Sequence, residues 1–338
     1  MIFMPILIIH TGGTIGMVGG RDGLAPDPEF TNKIVRWIES NTAERPDIVT
    51  LDRLIDSADT APEHWQTIAN RILRLHAEYK GVVVLHGTDT LAYTASALSI
   101  LLRGLGKPIV LTGSQIPFYA NNSDAVKNLT GALACANDRR IREVFILFDG
   151  QLLRGNRSVK FSAQVGDSFC SPHCPSLAHF DQAISLNEPA LLRPTAGTYP
   201  SATNVSGQSV GLVKIYSGFS DCILLATAEA HPAGIVLELY GSGTAATLNV
   251  PLRDALTSLS LQRIPVIGVS QCMRGAVSRP AYVSSHILRD LGFIAGHDLT
   301  PEAAVNKLAY VRSFGREFPD LAKQMSTDFA GEITARPS

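Results

Sequence analysis

The sequence predicts an α/β protein with a larger N-terminal parallel or mixed sheet sandwiched by helices and a smaller C-terminal α/β domain. Three observations carry this. Short, continuous apolar runs alternate with longer segments of apolar spacing near 3.6, the pattern of strands covered on both faces. Three of those runs stop at polar, hydroxyl-bearing turns. The length of 338 residues suits two domains of about 150 residues each.

In chain order, Ile6 to His10 (ILIIH) reads as a buried strand running into Thr11-Gly12-Gly13-Thr14. Val82 to Leu85 feeds His86-Gly87-Thr88-Asp89-Thr90 in the same way, and Ile109 to Leu111 feeds Thr112-Gly113-Ser114-Gln115. Helical patterns lie between them: around Trp37, over His64 to Tyr79, and over Leu91 to Leu105. A helix from about Ala125 to Asn137 precedes a further strand, Val144 to Phe148. In an open α/β sheet the ligand site lies beyond the carboxyl ends of such strands, where these Thr, Ser and Asp residues gather. A Pro-, Ser-, Thr- and Gly-rich stretch then marks the domain boundary, giving an N-terminal domain over 1–190, a linker over 191–211 and a C-terminal domain over 212–338. In that last domain Val213 to Tyr216, Cys222 to Ala226, Gly234 to Leu239 and Val266 to Ser270 read as strands. Pro251 to Ser260, Tyr282 to Leu291 and Pro301 to Arg312 read as helices, the last with Thr300 as N-cap and Pro301 at its first position.

Composition narrows the function. The chain is 45% hydrophobic and 17% charged, which excludes a disordered, collagenous or coiled-coil protein. Its net charge of -1, with no basic stripe, makes nucleic acid and anionic membrane surfaces poor partners. The opening MIFMPILII lacks the positive region and cleavage site of a signal peptide, and no run of about 18 apolar residues occurs. The five cysteines are an odd, scattered set, so a cytoplasmic protein is expected.

Thr11 to Gly16 (TGGTIG) fits neither of the glycine-rich nucleotide fingerprints, which leaves Thr14 as a hydroxyl on a permissive turn where a nucleophile could meet a substrate. Taken alone, such a threonine is usually a cap or loop hydrogen-bonder. Thr88 and Asp89 add a second hydroxyl and a carboxylate on an adjacent strand end. That carboxylate could hold a cationic substrate group or orient a lysine, although Asp89 or Thr90 could equally cap the helix that begins near Leu91. His10 and His86 follow buried strands and are expected to be hydrogen-bonded core or supporting residues. Cys170-Ser171-Pro172-His173-Cys174 offers two thiols and an imidazole, but a structural zinc needs four ligands and no second cysteine pair exists, so no metal is expected.

The pairing of TGGTIG with HGTDT about 75 residues later resembles the bacterial-type L-asparaginase and glutaminase family, and several later segments look more like its cytoplasmic type I members. Supporting segments are Asp56-Ser57-Ala58-Asp59 with Trp65, Thr112 to Pro117 with Ser123-Asp124 and Asn128-Leu129, Leu153 to Lys160, and Gln271-Cys272-Met273. The resemblance implies an amidohydrolase without a cofactor. Thr14 would attack the side-chain amide of asparagine, release ammonia and leave an aspartyl ester for water to hydrolyse. Thr88, Asp89 and Lys160 match the family's catalytic threonine, aspartate and lysine, with Asp89 also gripping the substrate's α-ammonium. Lysine is a base only in its neutral form, which burial or a neighbouring cation must make accessible. Ser57 matches the residue that takes the α-carboxylate. Backbone N–H groups near Ala58 and Thr88 are candidates for the oxyanion, and Asp59 either contacts the ligand or caps the helix beginning near Pro62. The family also implies active sites between subunits of a homodimer, or of a dimer of dimers.

Two departures bear on substrate. Leu24 stands where the family carries a lid tyrosine that helps to activate the nucleophile, and leucine can neither donate nor accept a proton. Thr244 replaces an asparagine that completes the substrate site, which shortens its reach. Glutamine or another small amide is therefore an alternative substrate, and a non-catalytic amino-acid-binding protein is a second alternative. Cys272 matches a residue of the type I allosteric site. Val159 replaces that site's threonine, and the simpler expectation for Cys272 is a buried small residue after a strand.

Overall fold

In a computed structural model that describes residues 4–193, 204–277, 283–315 and 320–334, the first apolar run becomes a central strand. β1 (Ile6–His10) is buried at every residue because it has parallel neighbours on both edges and helices on both faces. The chain divides into two units, 1–202 and 203–338.

In the first unit, β2 (Met17–Gly20) and β3 (Gly23–Pro26) form an exposed antiparallel hairpin. Alternation follows: α1 (Phe30–Asn41), β4 (Asp47–Thr50), α2 (Pro62–Leu75), β5 (Gly81–Leu85), α3 (Leu91–Leu101), β6 (Ile109–Thr112), α4 (Ala125–Asn137) and β7 (Val144–Phe148). Next come β8 (Gln151–Arg154), the separate pair β9 (Val159–Lys160) and β10 (Phe169–Cys170), then β11 (Ala178–Phe180) and β12 (Ile184–Leu186). The main sheet runs β12-β11-β8-β7-β6-β5-β1-β4. It is parallel from β4 to β7 and antiparallel from β7 to β12. Since β1 is followed on one side by β4 and on the other by β5, the winding direction reverses there, and at such a switch point open α/β sheets bind their ligands beyond the carboxyl ends of the strands.

Helices α1 and α2 are held by one apolar stripe each: Phe30, Ile34 and Ile38 on the first, and Trp65, Ile68, Ala69 and Ile72 on the second. Each fully buried Ile contributes about 1.5–3 kcal/mol. The reading of Leu91 to Leu105 as helix overshoots, because Gly104 and Gly106 take φ of 80° and 69° and carry the chain out of the helix after Leu101.

The second unit contains β13 (Val210–Lys214), α5 (Asp221–Ala230), β14 (Gly234–Leu239), α6 (Val250–Leu261), β15 (Val266–Ser270), α7 (Val283–Asp290), β16 (Ile294–Ala295), α8 (Pro301–Arg312) and α9 (Asp320–Ser326). Its sheet is parallel throughout, in the order β13-β14-β15-β16. Thr300 caps α8 as expected, its hydroxyl accepting from the Ala303 N–H at 3.1 Å. Tyr282, where the preceding helix was expected to begin, lies outside the described residues. One expectation is overturned: Cys222 to Ala226 is helix, not strand. A five-residue apolar run has no diagnostic period, and the Ser220 hydroxyl accepting from Cys222 N–H at 3.3 Å caps a helix there. Beyond α9 the chain is fastened by a wholly buried ion pair, Lys307 Nζ to Glu332 Oε1 at 2.8 Å, with the Phe329 ring centroid 4.6 Å from the ammonium. Among the described residues no helix is long and apolar enough to cross a membrane.

Candidate active site

The polar turns that end β1 and β5 are packed backbone against backbone. The register sets His10 opposite Leu85, and both the N–H and the hydroxyl of Thr11 donate to Leu85 O, at 3.0 and 2.8 Å. Gly13, at φ 91°, then lies so close to the second turn that a Cβ on it would stand 2.5 Å from Gly87 N and 2.6 Å from Gly87 Cα. A Cβ on Gly87 would in turn meet the Ser57 side chain, 2.7 Å from its Cβ. Glycine is required at both places because the obstacle to Gly13 is backbone and Ser57 is itself buried. Thr14, which is half-buried, follows Gly13 in the first turn, and Thr88 follows Gly87 in the second.

Lys160 reaches the same place from β9. Its Nζ donates to Thr88 Oγ1 at 2.9 Å and to Asp89 Oδ1 at 2.7 Å. Two backbone-to-side-chain links fix the third wall: Asp89 N–H donates to Ser57 Oγ at 3.3 Å, and the Thr90 hydroxyl donates to Ser57 O at 2.7 Å. These bonds overturn the capping reading of Asp89 and Thr90, since Thr90 occupies the N-cap of α3 without a side-chain cap bond. Thr90 was not among the anticipated site residues, although its hydroxyl in HGTDT was the signal for it.

Ala58 and Asp59 follow Ser57 and are exposed. The Ala58 N–H is engaged by Asp56 Oδ1 at 3.1 Å, which removes it as a ready oxyanion donor. Asp59 does not cap α2 either: the N-cap there is Ala61, whose N–H donates to His64 Nδ1 at 2.9 Å. The loop after β6 is organised by Asp124, whose carboxylate accepts from the N–H groups of Gln115 and Ile116 at 3.0–3.1 Å. His86 is buried and hydrogen-bonded through both ring nitrogens, to Gly87 O at 2.8 Å and Thr94 Oγ1 at 3.0 Å, and burial lowers its pKa. His10 departs from expectation: its ring packs on Phe30 with centroids 4.9 Å apart, but neither nitrogen has a hydrogen-bond partner, and burial lowers its pKa to about 4.

Leu24 lies on β3 opposite Gly19, in the hairpin that leaves the Thr14 turn, and is 53% exposed. In the second unit, Thr244 turns its hydroxyl back toward Tyr240 O at 3.4 Å within its own tight turn. Cys272 is exposed, contrary to the expected buried residue, because the chain turns outward after β15, with Cys272 N–H donating to Ser270 Oγ at 3.0 Å. None of the five cysteines forms a disulfide. Cys174 accepts a hydrogen bond from Arg154, and burial raises its pKa. Among the described residues no group of three or more His, Cys, Asp or Glu side chains could hold a metal ion.

Comparison with known proteins agrees over nearly the whole chain. Residues 5–192 match the family "Asparaginase, N-terminal" and residues 209–325 match the "Glutaminase/Asparaginase C-terminal domain". The chain is 37% identical to L-asparaginase 1 of Escherichia coli K12, over 97% of this chain and 98% of that one. The crystal structure of L-asparaginase I from Vibrio cholerae superposes with a TM-score of 0.88 at 34% identity, covering 98% of this chain and 99% of that one. The thermostable L-asparaginase from Thermococcus kodakarensis gives the same TM-score at 31% identity, over 98% and 100% of the two chains. The glycine-packed turns at the sheet's switch point and these full-length matches have one conclusion: the chain belongs to the bacterial-type L-asparaginase and glutaminase family, on the side of its type I members.

Proposed function

We propose that this family member hydrolyses the side-chain amide of L-asparagine to L-aspartate and ammonia through an acyl-enzyme on Thr14. The observation that most supports this is Lys160 Nζ held between Thr88 Oγ1 and Asp89 Oδ1, in the turn whose Gly87 packs against Gly13, the residue before Thr14. In the first step Thr14 Oγ bonds to the amide carbon while its proton passes through the Thr88–Lys160 pair to the leaving nitrogen, so that ammonia departs as the C–N bond breaks. Water then attacks the ester, gives its proton back through the same pair and restores the threonine. Ser57 takes the substrate's α-carboxylate and Asp89 its α-ammonium, with Asp59 at the rim. With Ala58 N–H engaged by Asp56, the Thr88 N–H is the better oxyanion donor. These steps use side chains and backbone alone.

A second reading keeps the chemistry and changes the amide. It is favoured by the exposed Leu24, which has no proton to exchange with Thr14, and by the Thr244 hydroxyl turned back on its own loop. The family likeness supports a homodimer or dimer of dimers, and the disulfide-free cysteines suit the cytoplasm. The test is release of ammonia, or of the amine from compounds substituted on the side-chain amide, over a panel of L-asparagine, L-glutamine, D-asparagine, succinamate and N-substituted asparagines, with Thr14→Ala as blank. Preference for L-asparagine with a silent blank supports the first reading, and preference for another amide supports the second. Amino-acid binding with no turnover of any compound would leave a binding protein and overturn both.

A further inference from the structure

Lys160 stands on a strand pair, β9–β10, that forms its own two-stranded sheet outside the main one. Ladder hydrogen bonds from the main sheet therefore do not set its position against the Thr88 turn. A side-chain bridge reaches the pair instead. Gln115, two residues past Gly113 in the loop after β6, donates through Nε2 to Ser168 Oγ at 2.6 Å. Ser168 has one hydroxyl proton, and it turns to carbonyls of its own loop, Gln164 O at 2.9 Å and Gly166 O at 3.3 Å, so the group facing it from Gln115 must be the NH2. Ser168 is wholly buried, its carbonyl accepts from the Phe161 N–H at 3.0 Å, and it precedes Phe169, the residue paired with Lys160.

At its other end the bridge is tied to the turn that carries Thr88. A Cβ on Gly113 would stand 2.1 Å from His86 O, so the chain leaving β6 is packed directly on the HGTDT turn. The Gln115 backbone is pinned there by the Asp124 carboxylate. The contacts close on themselves: from Thr88 through Gly113 to Gln115, across to Ser168, along the β10–β9 pairing to Lys160, and from Lys160 Nζ to Thr88 Oγ1 at 2.9 Å. Packing alone does not explain the residue. Gln115 Oε1 is buried and has no hydrogen-bond partner among the described residues, a destabilising arrangement that a methionine of similar length would avoid. We propose that Gln115 is a positioning residue for the reaction: its amide holds the β9–β10 pair where Lys160 Nζ meets Thr88 Oγ1, a role that rests on the reading of Lys160 as proton carrier and is exerted through Lys160 alone.

The test is Gln115→Met in the full chain, read by steady-state turnover of the amide that the parent prefers, by a thermal melt, and by the rate at which acetic anhydride acetylates Lys160, followed by mass spectrometry with the exposed Lys127 as internal reference. Turnover should fall about 10- to 100-fold in kcat with KM within about threefold of the parent, because a displaced proton carrier costs rate rather than binding. Tm should stay within about 3 °C, since the lost bond and the removed unpaired oxygen offset one another. Lys160, no longer held on Thr88, should acetylate at least about threefold faster. In a Lys160→Met background the same substitution should change the residual turnover by less than about twofold, which a general structural role would not produce. Should Gln115→Met melt far below the parent, Ser168→Ala removes the acceptor and carries the same test. A kcat within about threefold of the parent, a loss that persists in full in the Lys160→Met chain, or acetylation at the parent's rate would overturn the proposal. If the parent turns over no amide, the amidase reading falls and acetylation decides alone: faster modification keeps Gln115 as the brace of Lys160, and an unchanged rate removes it.

Discussion

Replacing Lys160 by methionine keeps the reach of the side chain and removes its ammonium. Two hydrogen bonds disappear, to Thr88 Oγ1 at 2.9 Å and Asp89 Oδ1 at 2.7 Å. In a protected site each charge-assisted bond would contribute about 1.5–3 kcal/mol. Here the Asp89 side chain is 62% exposed against 21% for Lys160, which brings their ion pair into the surface range of about 0–1 kcal/mol. The expected loss of stability is therefore below about 1 kcal/mol, or a fall in Tm of about 2–4 °C. Turnover should respond very differently. Loss of the group that carries the proton costs about 10²–10⁴-fold in rate, equivalent to about 2.7–5.5 kcal/mol of barrier. Ammonia release at saturating L-asparagine, read beside a thermal melt, checks both halves. Turnover within tenfold of the parent would refute the role of Lys160 as proton carrier. A drop in Tm beyond about 10 °C would refute the inference from exposure and make the residue structural.

Gly13→Ala places a methyl 2.5 Å from Gly87 N at a backbone φ of 91°, so urea denaturation should show a loss of at least about 2 kcal/mol; an unchanged midpoint would mean that the two turns can part freely. Leu24→Tyr, on the exposed hairpin, should leave stability within about 0.5 kcal/mol and raise kcat, and a steady-state comparison without gain would mean that another group already activates Thr14. Lys307→Met strands a buried carboxylate and should cost about 3–5 kcal/mol at pH 7 by denaturant unfolding. The sign with pH follows from Glu332. Burial would raise its pKa, but the Lys307 charge and the Phe329 and Ala330 N–H groups hold it below the ordinary value, so its contribution in the parent is full above about pH 4.5 and fades as pH falls through the depressed value. Without Lys307 that carboxyl is raised instead, and the variant loses stability as pH rises. The difference between the two proteins should narrow from pH 7 toward pH 4, and a constant difference would show that Glu332 is not the titrating partner.

The alternation of strand and helix was legible because strands buried on both faces must be continuously apolar, as in Ile6–His10, Gly234–Leu239 and Val266–Ser270, while α1 and α2 show a one-sided stripe. It failed at Cys222 to Ala226, where a run too short to show a period took its conformation from the cap at Ser220. The β2–β3 hairpin, exposed on both strands, carried no apolar pattern to read.

The sequence by itself determined which residue types stand at strand ends: hydroxyls and a carboxylate after β1 and β5, each turn containing a glycine that frees the backbone. Only the tertiary structure decided which of those ends meet. Gly13 and Gly87 touch because β1 and β5 are hydrogen-bonded neighbours at the point where the winding reverses, and Lys160 reaches Thr88 across 72 positions of sequence from a two-residue strand. Local periodicity reports burial along one element, and it contains no term for the approach of two loops.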